Sequence, residues 1–198
     1  MQRYAPPGAK PIFPAIMKFC SNCGNTVELR IPDGDNRERY CCPACDTIHY
    51  QNPRLVLGTV PVRGDKILLC RRAIEPRYGY WTLPAGFMEN GETLEQGASR
   101  ETDEEAGIEF TLGNVFSMLS VPHVGQVHMF YLATMESEHI GGGPETLEAR
   151  LFSEDQIPWD NIAFHTVTKT LRWFFEDRHS GQFGVHSAHI DWSRPKAR

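Results

Sequence analysis

The sequence lacks any long apolar run and any excess of basic charge. No stretch of about 18 consecutive apolar residues occurs, and the N-terminus has no charged region followed by an apolar one. We therefore expect neither a transmembrane helix nor a signal peptide, and we expect a cytoplasmic protein. The 20 lysine and arginine residues are outnumbered by 25 aspartate and glutamate residues, which gives a net charge of -5. This balance argues against broad charge-driven attraction to nucleic acid or anionic membranes, so neither is an expected partner.

The sequence does contain enough apolar material for a folded core. Of its 198 residues, 40% are hydrophobic and 23% are charged, as in a chain with one ordinary domain and a smaller unit. Residues 1–17 carry four prolines and little periodicity. We therefore predict a flexible N-terminal segment without a core of its own.

The cysteines predict a metal site near the N-terminus. Four of the six form the pattern C-x2-C-x18-C-x2-C, namely Cys20, Cys23, Cys42 and Cys45. This spacing is typical of a tetrahedral zinc site. The alternative, a pair of disulfides, fits a secreted protein better than this one. We predict a zinc ribbon over residues 18–50 that depends on its ion to fold and has a structural role. If Cys41 replaced Cys42 as a ligand, the spacing in the second knuckle would change from x2 to x3, so Cys41 is not a predicted ligand. Cys70 is predicted to be a buried core residue.

The predicted ribbon is a weak candidate for nucleic-acid binding. Its loop IPDGDNRER has at least as many acidic as basic residues. It also lacks a basic stripe with interleaved aromatic residues, which is the pattern that single-stranded nucleic acid requires.

The most informative stretch is GFMENGETLEQGASRETDEEAGI, residues 86–108. Its second half predicts a helix from Thr93 to Ala106, with Gly107 as a left-handed stop and Glu92 favouring the helix N-terminus.

Three glutamates of this helix are spaced to share one face. Glu101, Glu104 and Glu105 stand at i, i+3 and i+4, so their like charges repel one another unless a cation is bound. A hard divalent ion suits three such carboxylates, and Arg100 is placed to pair with one of them. The alternative is that the glutamates form an ordinary solvated helix face.

The whole stretch reads G-x5-E-x7-R-E-x-x-E-E-x-G-I and resembles the signature of the Nudix hydrolases, with every charged and glycine position filled. One departure is Thr102, where that family usually has an aliphatic residue. Threonine is close in volume to valine, so we expect the change to affect packing under the helix more than the chemistry.

The rest of the chain predicts strands and one closing helix. Strand patterns occur at LVLGTVPV, KILLCRR, NVFSMLSV, QVHMFYLATM and EARLF, and a helix pattern runs from 163 to 177. Hairpins combined with helices indicate an α/β layer architecture. The resemblance implies an α/β/α sandwich with a mixed sheet over residues 51–178, followed by a tail at 179–198.

In that tail His186 and His189 are interpreted as incidental to metal binding. Phe183 and Trp192 predict that the tail packs against another surface, either a homodimer interface or the ribbon.

The resemblance also implies a chemistry, the hydrolysis of a diphosphate bond. Glu101 and Glu105 are the expected ligands of Mg2+ or Mn2+, with Glu104 as a third and the Ala85 carbonyl as a further oxygen. Arg100 is expected to orient them. The general base stays open between Glu145, Glu148 and a glutamate of the helix itself.

The substrate is less constrained by the sequence. A zinc ribbon before a Nudix domain is similar to the NADH pyrophosphatases, which carry an SQPWPFPxS-type motif downstream. This chain has SMLSVPHVGQVHMFYLA instead, more like the branch that acts on ADP-ribose and FAD. We expect a nucleoside diphosphate-linked substrate of that kind. Candidate contacts are Arg54, Arg72 and Tyr80, and Trp81 is either a further aromatic residue for base stacking or a core residue.

Two alternatives to an ADP-ribose or FAD hydrolase follow from the same residues. One is an NADH or NAD-cap pyrophosphatase or another RNA-linked role. The other is a non-catalytic regulator that binds a nucleotide, although the intact set of glutamates argues against it.

Overall fold

The structure is a computed structural model that describes residues 17–190. The predicted flexible segment therefore lies outside the described residues except for Met17, and so does Trp192. The described residues divide into two compact units: one contains residues 17–53 and 123–125, and the other contains residues 54–122 and 126–190. Among the described residues no helix is both long and apolar enough to span a bilayer.

The first unit is built on a small antiparallel sheet. Its strands are β1 (Glu28–Arg30), β2 (Arg39–Cys41) and β3 (Ile48–His49), in the order β1-β2-β3. Between residues 17 and 53 only Pro32 and three cysteines are buried, Cys20, Cys41 and Cys42. Such a unit has almost no apolar core, so its folding must draw on another source of free energy.

The second unit contains eight strands and two helices within the described residues. The strands are β4 (Arg54–Arg63), β5 (Lys66–Arg72), β6 (Trp81–Thr82), β7 (Ala85–Phe87), β8 (Phe110–Val121), β9 (Gln126–Met135), β10 (Thr146–Phe152) and β11 (His186–His189); the helices are α1 (Leu94–Ala106) and α2 (His165–Ser180). Short 3-10 turns occupy Pro122–Val124, Glu154–Gln156 and Trp159–Asn161.

These strands form one mixed sheet in the order β10-β5-β4-β9-β8-β11, with β6 added to β5 and β7 added to β4. The pairs β4–β9 and β8–β11 are parallel, and the others are antiparallel. Alternate residues of β5 face opposite layers: Leu69 joins the core that contains Leu171 of α2, whereas Leu68 and Cys70 join the core that contains Ala106 of α1. The helices thus cover opposite faces, which confirms the predicted α/β/α sandwich.

Helix α1 begins and ends where its sequence signals predict. Thr93 caps the N-terminus: its hydroxyl accepts the Gln96 N–H at 3.2 Å, and the Gln96 side chain accepts the Thr93 N–H at 2.8 Å. This reciprocal pair satisfies two helix-end donors. Gly107 ends the helix with φ = 56°, a left-handed conformation that glycine adopts without strain.

The C-terminal segment after α2 is part of the main sheet. Strand β11 pairs in parallel with β8, and Phe183 packs against Phe116 at a ring distance of 6.3 Å. His186 contributes to the packing of this segment, since its Nε2 lies 2.8 Å from the Asp177 carboxylate. Its ring also stacks on Trp173 at 4.8 Å. Phe183 thus packs within its own unit, and packing of this segment against a homodimer interface or the ribbon remains a prediction.

Candidate active site

Arg100 gathers the carboxylates of helix α1. Its guanidinium donates two hydrogen bonds to Glu92, at 3.0 and 2.9 Å. It also donates to Glu101 at 2.7 Å, to Glu104 at 3.2 Å and to the Phe87 carbonyl at 3.1 Å. Charge-assisted, two-pronged contacts of this kind fix geometry as well as energy. Glu92 therefore braces Arg100, in addition to accepting the Glu89 N–H at 2.6 Å.

Glu105 is held from the other side by strand β7. The Ala85 N–H donates to Glu105 Oε2 at 3.1 Å, and the Glu105 side chain is buried. The neighbouring Gly86 leaves room for Glu101, because a Cβ at position 86 would collide with that carboxylate. The structure thus assigns a role to the amide of Ala85, whereas a role for its carbonyl as a metal ligand remains a prediction.

Burial disfavours the ionised form of two of these carboxylates, Glu105 and Glu101. Burial raises the pKa of Glu105 to about 7, and the charges of Glu101 and Glu145 add to that rise. Burial also raises the pKa of Glu101. Desolvated carboxylates that repel one another are stabilised by a nearby cation, and oxygen donors of this kind suit a hard divalent ion. The chemistry of these donors therefore suits a hard divalent ion, and the metal site itself remains a prediction.

The pKa of Glu105 predicts how stability depends on pH. Because the folded-state pKa of Glu105, about 7, lies above the ordinary glutamate value of 4.5, the folded state binds more protons between these values and loses stability as pH rises through them. At pH 8, without divalent ions, Glu105→Gln is expected to be more stable than the wild type by on the order of 1–3 kcal/mol. At pH 4.5 the difference should vanish. Thermal unfolding at both pH values measures this, and an equal shift at both would contradict it.

The two candidate bases lie in different surroundings. The charge of Glu145 raises the pKa of both Glu101 and Glu105, so it is close enough to interact with the cluster. Glu148 lies beyond a register shift in β10, and its carboxylate contacts Arg150 at 3.8 Å. Of the two, Glu145 is the one whose charge acts on Glu101 and Glu105, and the identity of the base remains a prediction.

The loop before Glu145 is attached to the end of α1. The N–H groups of Gly141 and Gly142 both donate to the Ala106 carbonyl at 3.0 Å. A Cβ at Gly143 would collide with the Glu104 carbonyl, so this approach requires glycine. At the other end, the Glu145 carbonyl accepts the Ala73 N–H at 2.8 Å. Glu145 is thus anchored on both sides.

Arg72 holds a loop beside the cluster. Its side chain is buried, and its Nε donates to the Pro76 carbonyl at 2.9 Å. Its charge lowers the pKa of Glu105, which places it near the carboxylates. Arg72 and Tyr80 are also joined by a backbone hydrogen bond of 2.9 Å. A phosphate contact by Arg72 remains a prediction.

The other predicted substrate contacts differ in exposure. Arg54 is exposed, and its guanidinium lies 4.4 Å above the Phe87 ring. Tyr80 is partly exposed beneath Arg77. Trp81 is a core residue, in edge contact with Phe152 at 4.9 Å. The expectation that Trp81 stacks on a base is therefore wrong.

Gly58 is a residue that the sequence analysis missed. A Cβ there would collide with Ala85 and the Pro84 carbonyl, so glycine lets the segment before β7 approach β4 closely. A glycine inside a strand pattern is the signal that was available, since it marks close approach of another backbone.

The four predicted zinc ligands lie together in the first unit. Their Sγ atoms fall within 4.8 Å of one another, and all four cysteines are free thiols. The Sγ–Sγ distances are 3.7 Å for Cys20–Cys45 and 3.5 Å for Cys23–Cys42. A tetrahedron with zinc–sulfur bonds of about 2.3 Å has edges of about 3.8 Å, so this set fits zinc.

Neighbouring polar groups favour the thiolate form of Cys45 and Cys23, whereas burial raises the pKa of Cys42 to about 11. The Thr47 hydroxyl, 3.1 Å from Cys45 Sγ, lowers the pKa of that thiol to about 6. The Asn25 amide lowers the pKa of Cys23 in the same way. His49 Nε2 lies 3.3 Å from Cys20 Sγ. Thiolates are the form that binds a metal ion.

Comparisons with known families agree with both units. A model described as the NUDIX domain matches residues 52–174, and a zinc-ribbon model described as Nudix N-terminal matches residues 18–51. A crystal structure of a NUDIX hydrolase from Nitrosomonas europaea is 50% identical to this chain. It has a TM-score of 0.85 and covers 88% of this chain and 99% of its own.

Curated relatives carry a more specific description. The "NAD-capped RNA hydrolase NudC" of Vibrio atlanticus (strain LGP32) is 39% identical over 161 residues, which are 78% of this chain and 56% of the relative. The protein of the same description from Stutzerimonas stutzeri (strain A1501) is 31% identical over 144 residues, 71% of this chain and 50% of the relative. The chain thus spans about half the length of the curated relatives it matches.

Proposed function

The chain belongs to the Nudix hydrolases, and we propose that it hydrolyses the diphosphate bond of an NAD-linked compound, either as the 5′ cap of an RNA or as the free dinucleotide. The similarity to NAD-capped RNA hydrolases supports this alternative over the ADP-ribose or FAD hydrolysis that the sequence analysis favoured. The observation that carries the proposal is the carboxylate cluster around the buried Glu105, in a chain with these relatives.

The residues divide the work as follows. Glu101 and Glu105 would hold Mg2+ or Mn2+, with Glu104 as a third carboxylate, and Arg100 keeps the side chains of Glu101 and Glu104 in place. A bound divalent ion would neutralise charge on the phosphate oxygens and acidify a bound water. Because repulsion and burial already penalise the ionised carboxylates, such an ion is favoured at this place over bulk water.

We assign the general base to Glu145 in preference to Glu148. Its negative charge interacts with Glu101 and Glu105, whereas Glu148 contacts Arg150. A base must reach the attacking water, directly or through one other water, and the interaction of Glu145 with the ion-binding carboxylates supports this assignment.

Substrate binding is assigned to the loop that Arg72 supports. Arg77 and Tyr78 of this loop are exposed, and Tyr80 is partly exposed, so they present a cation with aromatic rings. A positive charge suits a diphosphate, and aromatic faces suit a base or a nicotinamide ring. Arg54 beside Phe87 offers a second cation of the same kind.

A second candidate function is the hydrolysis of ADP-ribose or FAD. The observation that favours it is the segment SMLSVPHVGQVHMFYLA at 117–133, which replaces the motif typical of NADH pyrophosphatases.

A panel of substrates separates these candidates. NAD-capped RNA, NADH, ADP-ribose, FAD and a nucleoside triphosphate are incubated with the full chain and Mg2+ or Mn2+, and products are separated by chromatography. We expect capped RNA to yield nicotinamide mononucleotide and 5′-monophosphate RNA, with 5′-triphosphate RNA of the same sequence left intact. NADH should yield its two mononucleotides.

Each result of the panel has a distinct meaning. Faster cleavage of ADP-ribose or FAD than of either NAD-linked compound would support the second candidate instead. Binding of nucleotides without cleavage of any of them would contradict both and indicate a non-catalytic regulator. Glu105→Gln, purified in parallel, controls for a contaminating hydrolase.

A further inference from the structure

Two buried hydroxyl groups link helix α1 to the strand beneath it. Thr102 lies on α1 between Glu101 and Glu105, Thr59 lies on β4, and both threonines have 0% exposure. Their Oγ1 atoms are 2.8 Å apart. The Thr102 hydroxyl donates to the Ala98 carbonyl at 2.7 Å. Because a hydroxyl carries one proton, Thr59 must be the donor in its bond to Thr102.

Thr59 is also attached to the segment that holds Glu105. Its N–H donates to the Pro84 carbonyl at 3.1 Å, and the next residue, Ala85, donates its N–H to Glu105. The bonds therefore form a closed path: from α1 through Thr102 to β4, from β4 to residues 84–85, and from there back to α1 at Glu105. The path thus ties both Glu105 and the helix that carries it to β4.

Apolar packing alone would leave α1 less well placed. Near the path, α1 contacts the sheet through Ala98 against Leu57 and Tyr131, and such contacts are non-directional. A hydrogen bond between buried groups restricts both distance and angle. Ligands of Mg2+ must lie at about 2.0–2.1 Å from the ion, so a site tolerates displacements of only about 0.5 Å.

We propose that Thr59 and Thr102 are a positioning pair that fixes α1 against β4 and thereby sets the affinity of Glu101 and Glu105 for a divalent ion. The threonine at position 102, which departs from the aliphatic residue of the signature, is then matched by a hydroxyl on the neighbouring strand. The inference rests on the proposed function only in that these glutamates bind the ion, and the identity of the substrate does not enter.

The same protein supplies a matched control pair. Ser117 on β8 and Thr170 on α2 are also 0% exposed, and their hydroxyl oxygens are also 2.8 Å apart. This pair joins the sheet to the helix on the opposite face. It has the same chemistry and burial, and it is not attached to a carboxylate of the cluster.

The test measures binding of Mn2+ alone, through the free-ion signal in electron paramagnetic resonance, together with thermal unfolding. Thr102→Val leaves the Thr59 hydroxyl buried without its acceptor, so we expect a lower Tm and Mn2+ affinity weaker by about tenfold. Thr59→Val leaves Thr102 bonded to Ala98, so the same loss of affinity should come with a smaller loss of Tm. Thr102→Ser keeps the hydroxyl and should bind Mn2+ as the wild type does.

The double variant separates positioning from burial. In T59V/T102V no hydroxyl is left unpaired, so Tm should recover relative to T102V while Mn2+ affinity stays about tenfold below wild type. The control S117A/T170V should bind Mn2+ normally. If T102V does not fold, T59V and the double variant carry the test.

The results that would contradict the positioning role of Thr59 and Thr102 differ from those that would contradict the proposed function. Wild-type affinity in T59V/T102V, or an equal loss in S117A/T170V, would mean that the pair is merely structural. A wild-type protein that binds no Mn2+ would contradict the metal site of the proposed function, and with it this inference.

Discussion

Replacing Glu105 with glutamine is expected to lower kcat by on the order of a thousandfold while leaving the protein folded. The buried carboxylate accepts the Ala85 N–H and lies beside Glu101. Glutamine keeps the size of the side chain but removes the charge that a divalent ion requires. Loss of about 4 kcal/mol of charge stabilisation in the transition state corresponds to that reduction in rate. Steady-state kinetics on the best substrate of the panel measures it.

The matched control for this variant is Asp103→Asn on the same helix. Asp103 is exposed, its backbone carbonyl accepts the Gly107 N–H at 2.8 Å, and its replacement removes the same formal charge. It should retain nearly the wild-type rate. If Glu105→Gln kept an undiminished rate, or if Asp103→Asn lost as much activity, the assignment of Glu105 as a metal ligand would be wrong.

Replacing Cys42 with serine is expected to abolish stoichiometric zinc and to unfold the ribbon between residues 18 and 50. This unit buries little besides its cysteines. Structural zinc supplies an apparent binding free energy of about 10–16 kcal/mol, which replaces the missing apolar core. The wild type should contain about one zinc per chain, by metal analysis of freshly purified protein. Hydrogen exchange should show that the backbone of β2 loses its protection in the variant.

Cys41→Ser is the control for the zinc prediction. Cys41 is buried next to Cys42, but its thiol lies 3.7 Å from the Arg39 carbonyl, and it is not one of the four clustered sulfurs. This variant should retain one zinc per chain. Protein without zinc in the wild type, or full zinc in Cys42→Ser, would refute the ligand set.

The features that sequence predicts well are those set by neighbours along the chain. The start of α1 at Thr93, its stop at Gly107 and the facing glutamates all depend on residues within a few positions of one another. The zinc ligands follow from two short knuckles for the same reason. The continuous apolar run from Ile67 to Cys70 in β5 likewise predicts a strand that is buried on both faces.

The features that sequence does not predict are those set by distant partners. Strand β11 pairs with β8 across a long separation, so His186 shows no local sign of its contact with Asp177. The two-residue strand β6 is too short for a periodic pattern. The partner of Thr102 lies 43 residues away, on a strand whose register must be known first.

The choice between the candidate bases Glu145 and Glu148 also depends on contacts between residues far apart in the chain. A register shift separates Thr146 from Glu148 in β10, so alternation along that strand does not show which side chain turns toward the cluster. The backbone bond from Ala73 to Glu145, which anchors the loop, joins residues far apart in the chain.

The most direct test of the account is anomalous diffraction from crystals of the full chain soaked with Mn2+ and a non-hydrolysable NAD analogue. The account predicts a manganese peak within bonding distance of the carboxylates of Glu101 and Glu105, with the diphosphate of the analogue against the same ion. Ordered analogue bound elsewhere, with no manganese at these two glutamates, would contradict it.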